Sequence, residues 1–358
     1  PALSAAKGFA SPEVEAAYAS AISLSRRVSD GQEDFSILRR LWVYHFIAGH
    51  LDQAGDIAQQ LMALAASGDE LDRSVEAHRV LGQTLFYQGN FLEAREHLEK
   101  SVECYDPEKH RSGIYLYGND SATVCQAYLG LVLWFLGYPE QAVAQCEKTL
   151  KMARELQHPF SLALALAFSA YVRQHLRDAE LTALLATETI AVSEEQGFPF
   201  WAHQEAILLG WALAEQGQIE EGMTRLCRGL EEYTKMGSGL ACPWFLGLKA
   251  EVRLKAGDLD KALSILDEAA QKSDEIGDFS YLAEVYRLKG TITLAKLGDK
   301  AAGDVEALYQ ESLTVARKQG ARSWQLRTAT DLALLWQKQK RVQEARDLLR
   351  GIYDMFEE

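Results

Sequence analysis

The sequence contains little proline and no long apolar run. Seven prolines occur in 358 residues, and proline is the residue that most strongly interrupts a helix. Alanine, leucine, glutamate and glutamine, which favour helices, are frequent. No stretch of 18 or more consecutive apolar residues is present, which argues against a membrane-spanning helix. The composition therefore predicts a mostly helical protein that does not span a membrane.

Cysteine is also scarce. The five cysteines contain no CxxC pair and leave one without a partner, which is typical of a reducing compartment. We therefore predict a cytoplasmic location. The N-terminal Pro-Ala-Leu-Ser shows no initiator methionine and no secretory pattern, so we expect the chain to be a piece of a longer protein.

Basic residues are outnumbered by acidic ones. Lysine and arginine total 37, whereas aspartate and glutamate total 51, which gives a formal net charge of −14. Surfaces that bind nucleic acid or anionic membranes carry clustered positive charge. The charge therefore argues against both of these partners for this chain.

Motifs of common cofactor and metal sites are absent. There is no GxxxxGKS/T phosphate loop, and Gly237-Ser-Gly239 lacks the third glycine of a dinucleotide loop. The eight histidines form neither HExxH nor an i, i+4 pair that would suit zinc. We therefore predict no cofactor, no metal and no enzymatic activity. A catalytic site assembled from distant repeats is an alternative that local motifs do not address.

The apolar helical segments repeat with a period of about 40 residues. They break at eight positions, spaced by 40, 48, 40, 40, 40, 41 and 42 residues: Gly49, Gly89, Gly137, Arg177, Gly217, Gly257, Gly298 and Lys340. A break between two helical stretches, with glycine just beyond the first, is typical of a helical hairpin. Small residues twelve apart support the hairpins, because two helix axes approach closely only over small side chains; the pairs are Gly82/Ala94, Gly130/Ala142, Gly210/Gly222, Ala250/Ala262 and Ala333/Ala345.

These repeats predict an all-α solenoid of about eight antiparallel hairpins that form one domain over residues 1–358. Hairpins stabilise one another by stacking, since a single repeat cannot cover its own apolar face. An additional orphan helix is expected over 12–28. The predicted hairpins cover residues 35–67, 72–104, 120–156, 159–196, 199–236, 243–276, 279–319 and 322–356.

The helix pairs resemble tetratricopeptide repeats with a lengthened period. The order of several segments is similar to the C-terminal helical region of bacterial class III adenylate/guanylate cyclases and of related signal-transduction (STAND-type) ATPases: residues 7–18, 105–110, 117–120, 134–139, 196–199 and 353–358. This resemblance implies a right-handed superhelix that acts as a sensor and protein-interaction module. It implies regulation of an attached cyclase or ATPase, although no motif of those catalytic domains is present.

Two surfaces are candidate binding sites. One is the concave face lined by the first helix of each hairpin, where aromatic and arginine side chains suit recognition. Residues expected to be exposed there are Arg39, Phe46, Arg79, Phe86, Tyr87, Trp134, Tyr171, His175, Gln204, Trp211, Trp244, Arg287 and Lys338. Packing between repeats is the alternative role for each aromatic residue.

The other candidate is the long connection between Tyr105 and Asp120, which the 48-residue interval places between the second and third hairpins. Long connections in compact folds often bind partners. Its candidate residues are Asp106, His110, Arg111, Tyr117, Asn119 and Asp120. A packed or mobile connector without a binding role is the alternative.

The sequence thus predicts a non-catalytic module that binds a protein, a peptide or a small-molecule effector and regulates the rest of its chain. A homo-oligomer is possible in this interpretation. A passive scaffold or dimerisation arm is the first alternative, and an enzyme with a site between repeats is the second.

Replacing residues 109–117 with a short Gly/Ser link is expected to weaken partner or effector binding, because the connection is the longest insertion in the repeat pattern. The measurement is binding of the partner to the variant and to the parent chain. Unchanged binding with an intact fold would remove the connection from the candidate sites.

Overall fold

The computed structural model describes residues 16, 20, 35–66, 71–111 and 113–356. The predicted orphan helix over 12–28 lies outside the described residues, apart from two isolated positions. Regular structure in the described residues is helical. The all-α prediction is confirmed.

Eight helical hairpins follow one another along the described residues. Their first helices are α1 (Phe35–Ala48), α3 (Leu71–Tyr87), α7 (Ser121–Phe135), α9 (Pro159–His175), α11 (Pro199–Glu215), α13 (Cys242–Lys255), α15 (Leu282–Leu297) and α17 (Arg322–Lys338). Their second helices are α2 (Leu51–Ala66), α4 (Phe91–Cys104), α8 (Pro139–Leu156), α10 (Ala179–Gln196), α12 (Ile219–Lys235), α14 (Leu259–Ile276), α16 (Ala302–Lys318) and α18 (Val342–Tyr353). A 3-10 turn over Gly298–Ala301 precedes α16. First helices of successive hairpins contact one another, so we call them inner helices and the second helices outer helices.

The connection between the second and third hairpins is partly helical. It contains the short helices α5 (Pro107–His110) and α6 (Gly113–Tyr117). Asp106 caps α5 by accepting a hydrogen bond from Glu108 N at 3.0 Å. The eight additional residues therefore form a folded element, which we call the connector.

The hairpin turn requires one residue with a positive φ. Glycine supplies it at most turns, as at Gly217 with φ 91°. At the two breaks without glycine, Arg177 and Lys340 both adopt φ 64°, a conformation that side chains with a Cβ rarely take. The same turn geometry therefore recurs about every 40 residues, even where the turn residue is not glycine.

Helices within a hairpin cross over small residues. At the α11–α12 crossing, a Cβ added to Gly210 would lie 2.6 Å from both Gly222 O and Leu226 N. Such a distance is far inside van der Waals contact, so the backbones touch here. The pairs of small residues twelve apart therefore mark true helix crossings.

The superhelix closes on itself after about five hairpins. Gly239 N donates to Ile47 O at 2.9 Å, and Phe279 N donates to Tyr87 O at 2.9 Å. Ser323 Oγ likewise donates to Trp134 O. The C-terminal ends of α1, α3 and α7 thus contact the segments at the N-terminal ends of α13, α15 and α17, which lie about 190 residues further along the chain. We call this line of contacts the inter-turn seam.

Gly210→Ala is expected to destabilise the protein by about 1–3 kcal/mol, because the new methyl group must force the α11 and α12 backbones apart. Gly303→Ala is the matched control, since a Cβ at Gly303 meets no atom within 4 Å. Chemical denaturation of both variants and the parent chain measures the difference. Equal stability of the two variants would contradict close contact at the crossing.

Candidate functional site: the inner wall and the connector

The aromatic and arginine side chains of the inner helices lie in the interior of the protein. We call the surface that the inner helices turn towards the superhelix axis the inner wall. Nine of the candidates expected on it are buried: Arg39, Arg79, Tyr87, Trp134, Tyr171, His175, Trp211, Trp244 and Arg287. Phe46, Phe86 and Gln204 are buried as well, and Lys338 is exposed. The expectation of an exposed concave face is therefore wrong, because the inter-turn seam brings one turn of the superhelix onto the other. A binding role for these residues stays a prediction.

An aromatic stack joins four inner helices at the centre. The ring of His175 stacks between Trp134, at 4.6 Å, and Trp244, at 5.2 Å. Trp324 meets Trp134 edge-on at 4.8 Å. Burial lowers the pKa of His175 well below its usual value, and the nearby Arg327 lowers it further. The imidazole is therefore neutral near pH 7, and it contributes mainly ring packing.

Arg327 contacts this aromatic stack across the inter-turn seam. Its guanidinium lies 5.1 Å from the Trp134 ring and 4.9 Å from the Trp324 ring. It donates to Glu284 Oε1 at 3.0 Å and to the His175 carbonyl oxygen. One side chain of the last hairpin therefore contacts the third, fourth and seventh hairpins.

Glu284 neutralises the buried arginines. Burial alone would raise its pKa, but Arg287, Arg327 and Arg177 hold the pKa of Glu284 at about 2. Arg287 donates to both of its carboxylate oxygens, at 2.7 and 2.8 Å, and to Asp331 at 2.6 Å. Removing one partner of such a buried pair leaves an uncompensated charge and typically costs about 3–5 kcal/mol.

Sequence reasoning missed Arg327, Glu284 and Glu76. Each lies six residues before the small residue at its helix crossing, as Gln204 and Trp244 do. That position faces the interior in successive inner helices. Counting back from the crossing residue would have identified these three side chains.

Three buried donors of the inner wall have side-chain acceptors on other helices. Tyr171 donates to Gln204 Oε1 at 2.6 Å, and Trp244 Nε1 donates to Gln174 Oε1 at 3.3 Å. Trp211 Nε1 donates to Glu251 Oε2 at 3.2 Å. These bonds hold the side chains in the closed arrangement.

Glu76 links the first three inner helices next to the connector. Its carboxylate accepts from Arg39 at 2.9 Å, from Arg79 at 2.5 Å and from Ser121 Oγ at the start of α7. The Arg39 guanidinium also lies 5.8 Å from the Tyr117 ring in the connector. The connector is therefore packed against the solenoid.

Connector candidates divide into packed and accessible residues. Asp120 is buried and caps α7 by accepting from Thr123 N at 2.8 Å, and Tyr105 donates its hydroxyl to the same carboxylate. His110 is also buried, and its Nδ1 accepts from Asp106 N at 2.6 Å. Asn119 and Tyr117 are partly buried, and Asp106 is partly exposed. Arg111 is exposed, and its role in binding stays a prediction.

A small cavity lies among the aromatic residues of the seam. Its volume is about 20 Å³, and Tyr87, Tyr171, His175, Trp244 and Tyr281 contribute to its lining. A cavity of this size holds about one water molecule. It does not accommodate a substrate, and the described residues contain no group of three or more His, Cys, Asp or Glu side chains that could hold a metal ion. No helix among these residues is both long and apolar enough to cross a bilayer.

Comparisons with known proteins agree on the fold. Tetratricopeptide repeat models match residues 79–105, 123–148 and 243–268. The chain superposes with a TM-score of 0.66 on a Rap protein complexed with Competence and Sporulation Factor, at 13% identity over 96% of this chain and 92% of that chain. NprR in complex with its cognate peptide NprX gives a TM-score of 0.59 and 14% identity over 88% and 87% of the two chains.

A third solved structure has a similar fold. The Rap conjugation gene regulator of plasmid pLS20, in complex with the Phr* peptide, gives a TM-score of 0.59 at 9% identity over 90% of this chain and 94% of that chain. At these identities the likeness shows the fold alone. The chain is thus a tetratricopeptide-like helical repeat module, and this part of the sequence resemblance is confirmed.

A curated relative is an uncharacterized protein of Rhizobium meliloti (strain 1021), 22% identical over 324 residues. The match covers 90% of this chain and 31% of the relative, so the chain spans about a third of that protein's length. The link to cyclases and ATPases is not shown by these comparisons and stays a prediction.

Two buried carboxyl groups lack full hydrogen bonding. Both oxygens of Glu205 and the Oδ2 of Asp278 have no hydrogen-bond partner, and burial raises the pKa of Glu205 well above its usual value. Burial likewise raises the pKa of Asp278 to about 6, although hydrogen bonds from Ser280 oppose the shift. Asp278 directly precedes the Phe279 amide that crosses the seam.

Asp278→Asn is expected to change how stability depends on pH. The folded protein holds the Asp278 proton more tightly than the unfolded chain, so the parent loses stability as pH rises from about 4 to about 6. The loss from this group is at most about 3 kcal/mol, and the asparagine variant should lack it. Denaturation at both pH values measures the difference, with the exposed Asp274→Asn as control. Parallel pH profiles for all three proteins would contradict a neutral buried Asp278.

Proposed function

We propose that the chain is a non-catalytic recognition module that binds a protein or peptide through its inner wall when the inter-turn seam opens. The observation that carries this proposal is the composition of the wall. Tryptophan, tyrosine and arginine, the residues that dominate binding energy at interfaces, are concentrated there and are covered by the chain's own second turn. Two proteins with a similar fold, the Rap regulator of pLS20 and NprR, have been solved in complex with peptides, which supports a peptide or protein partner.

Closure sets a condition on binding. A partner that contacts the inner wall must bind the open arrangement more tightly than the closed one, since a ligand shifts an equilibrium only through differential affinity. Opening breaks the backbone bonds from Gly239 and Phe279 and the contacts of Arg327. The seam is thus the element through which occupancy would change the shape of the module.

Regulation of an attached nucleotide cyclase or ATPase is the finer part of the proposal. It rests on the segment resemblance and on a relative that extends well beyond the matched region. The reading frame directly upstream of Pro1 tests it. A cyclase and a P-loop ATPase encoded there would support this role, whereas an isolated reading frame would contradict it.

A passive scaffold is the second candidate function, and the closed inner wall favours it. A scaffold would keep the seam closed with every partner and would bind through exposed outer surfaces. Hydrogen exchange of the backbone amides at the inter-turn seam, measured with and without a binding peptide, therefore distinguishes the two functions. Faster exchange with the peptide bound favours the recognition module, and unchanged exchange favours the scaffold.

Gly239→Ala is expected to open the seam, because its added Cβ would overlap Ala48 O and lie 3.1 Å from Ala48 C. Hydrogen exchange should become faster at the backbone amides of positions 239 and 240, which both donate to Ile47 O in the parent chain. Peptides selected from a random phage-displayed library on the parent chain should bind this variant more tightly. Gly303→Ala, which meets no atom within 4 Å, is the control. Faster exchange with unchanged peptide affinity would contradict gating by the seam.

A further inference from the structure

Two histidine side chains meet across the second hairpin. His78 lies on the inner helix α3 and His97 on the outer helix α4, and their Nδ1 atoms are 2.8 Å apart. Both side chains are only partly buried, so solvent reaches the pair. The two residues are 19 apart in the sequence and lie on different helices, so the local histidine motifs of zinc sites do not include them.

The fold does not require polar side chains at these two positions. His78 lies four residues before the crossing residue of its helix, and His97 lies three residues after the crossing residue of the other. The fourth and sixth hairpins hold apolar residues at the same two positions: Leu166 with Leu185, and Leu246 with Ile265. Packing of the hairpin therefore does not explain why two histidines meet here.

The third hairpin has a neutral polar pair at these positions. Gln145 donates its Nε2 to Gln126 Oε1. A pair of glutamines is thus compatible with the contact between the two helices, and it provides a substitution for the histidines that the fold already contains.

The two imidazoles are neutral near pH 7. Burial lowers the pKa of His78, and the neighbouring His97 and Lys100 lower it further. Burial also lowers the pKa of His97, although Glu96 and Glu93 oppose the shift. Metal ions bind the neutral form of imidazole, so both rings are in the form that coordination requires.

The spacing of the two Nδ1 atoms matches that of neighbouring ligands around a tetragonal metal ion. Bonds from divalent metals to imidazole nitrogen are about 2.0 Å long, so two ligands at right angles lie about 2.8 Å apart. Tetrahedral ligands on bonds of the same length lie about 3.3 Å apart. The observed 2.8 Å therefore favours the tetragonal geometry that Cu²⁺ and Ni²⁺ prefer.

The same distance accommodates a hydrogen bond in which one Nδ1 donates and the other accepts. Coordination needs the lone pairs of both Nδ1 atoms. The ring that donates in this hydrogen bond must then carry its proton on Nε2, which a neutral imidazole can do without gaining or losing a proton.

The charged groups around the pair are compatible with a bound cation. Glu93, Glu96 and Lys100 act on the two rings, and Lys100 forms an ion pair with Glu103 at 3.2 Å. Carboxylates therefore outnumber ammonium groups in this set.

We propose that His78 and His97 form a binding site for a divalent transition-metal ion of tetragonal preference, Ni²⁺ or Cu²⁺, which their Nδ1 atoms ligate in neighbouring positions. The described residues contain no group of three or more His, Cys, Asp or Glu side chains that could hold a metal ion, so water fills the remaining positions. The ion links α3 to α4 within one hairpin. Its binding does not require the inter-turn seam to open and is therefore independent of the proposed function.

Metal titrations of the full chain test the site. In isothermal titration calorimetry, Ni²⁺ should bind about tenfold or more tightly than Zn²⁺. Ni²⁺ and Zn²⁺ both follow Cu²⁺ in intrinsic affinity, so geometry distinguishes between them. Electron paramagnetic resonance with one equivalent of Cu²⁺ should show hyperfine coupling to two nitrogen nuclei, one from each ring.

Variants locate the ion on the histidine pair. His78→Gln and His97→Gln should each weaken Ni²⁺ binding by about tenfold or more. The double variant reproduces the glutamine pair of the third hairpin and should fold as the parent does, which circular dichroism checks. Ni²⁺ should raise the Tm of the parent and leave that of the double variant unchanged, since an ion that binds only the folded state stabilises it.

His50→Gln and His203→Gln are the matched controls. His50 and His45 form a second close histidine pair, with Nδ1 atoms 3.4 Å apart, and His203 is a partly buried histidine on α11. Both control variants should retain the Ni²⁺ affinity of the parent.

Several results would overturn the proposal. Coupling of Cu²⁺ to fewer than two nitrogen nuclei, Zn²⁺ binding as tight as that of Ni²⁺, or equal losses of affinity in His50→Gln and His97→Gln would each contradict it. A Tm that Ni²⁺ raises equally in the parent and in the double variant would assign the ion to another place on the protein.

Discussion

Direct contact between successive turns of the superhelix is the constraint on which the rest of the structure depends. Backbone amides of Gly239 and Phe279 donate to carbonyl oxygens of Ile47 and Tyr87, about five hairpins earlier. These bonds tolerate no intervening layer of solvent or ligand. The inner wall is therefore part of the protein interior, where side chains pack densely and buried charges need partners.

Those rules explain the chemistry at the centre. A buried arginine needs a carboxylate within reach, and Glu284 serves Arg287 and Arg327 together. Flat rings such as Trp134 and His175 fill the remaining space by stacking. Glu205 and Asp278 are exceptions, because both oxygens of Glu205 and the Oδ2 of Asp278 have no hydrogen-bond partner, and burial raises the pKa of each carboxyl group. The side chains to which we assign the proposed recognition stabilise closure in this structure, so under that proposal recognition and stability would depend on one surface.

Local features of the fold could be predicted because the residues that produce them lie close together in the sequence. Gly217 and Arg177 mark hairpin turns, and Gly210 with Gly222 marks a helix crossing. Exposure of Trp134 was predicted wrongly, since its neighbours Trp324 and Ser323 lie about 190 residues away. Arg327 escaped notice because its partners belong to three other hairpins.

The sequence alone determined the repeating unit, since turn geometry and close helix packing act over fewer than about 40 residues and leave a residue pattern at each copy. Tertiary structure decided how those units curve. Small rotations between neighbouring hairpins add up along a solenoid, and only their sum decides whether two turns meet. That sum placed the inner wall inside the protein.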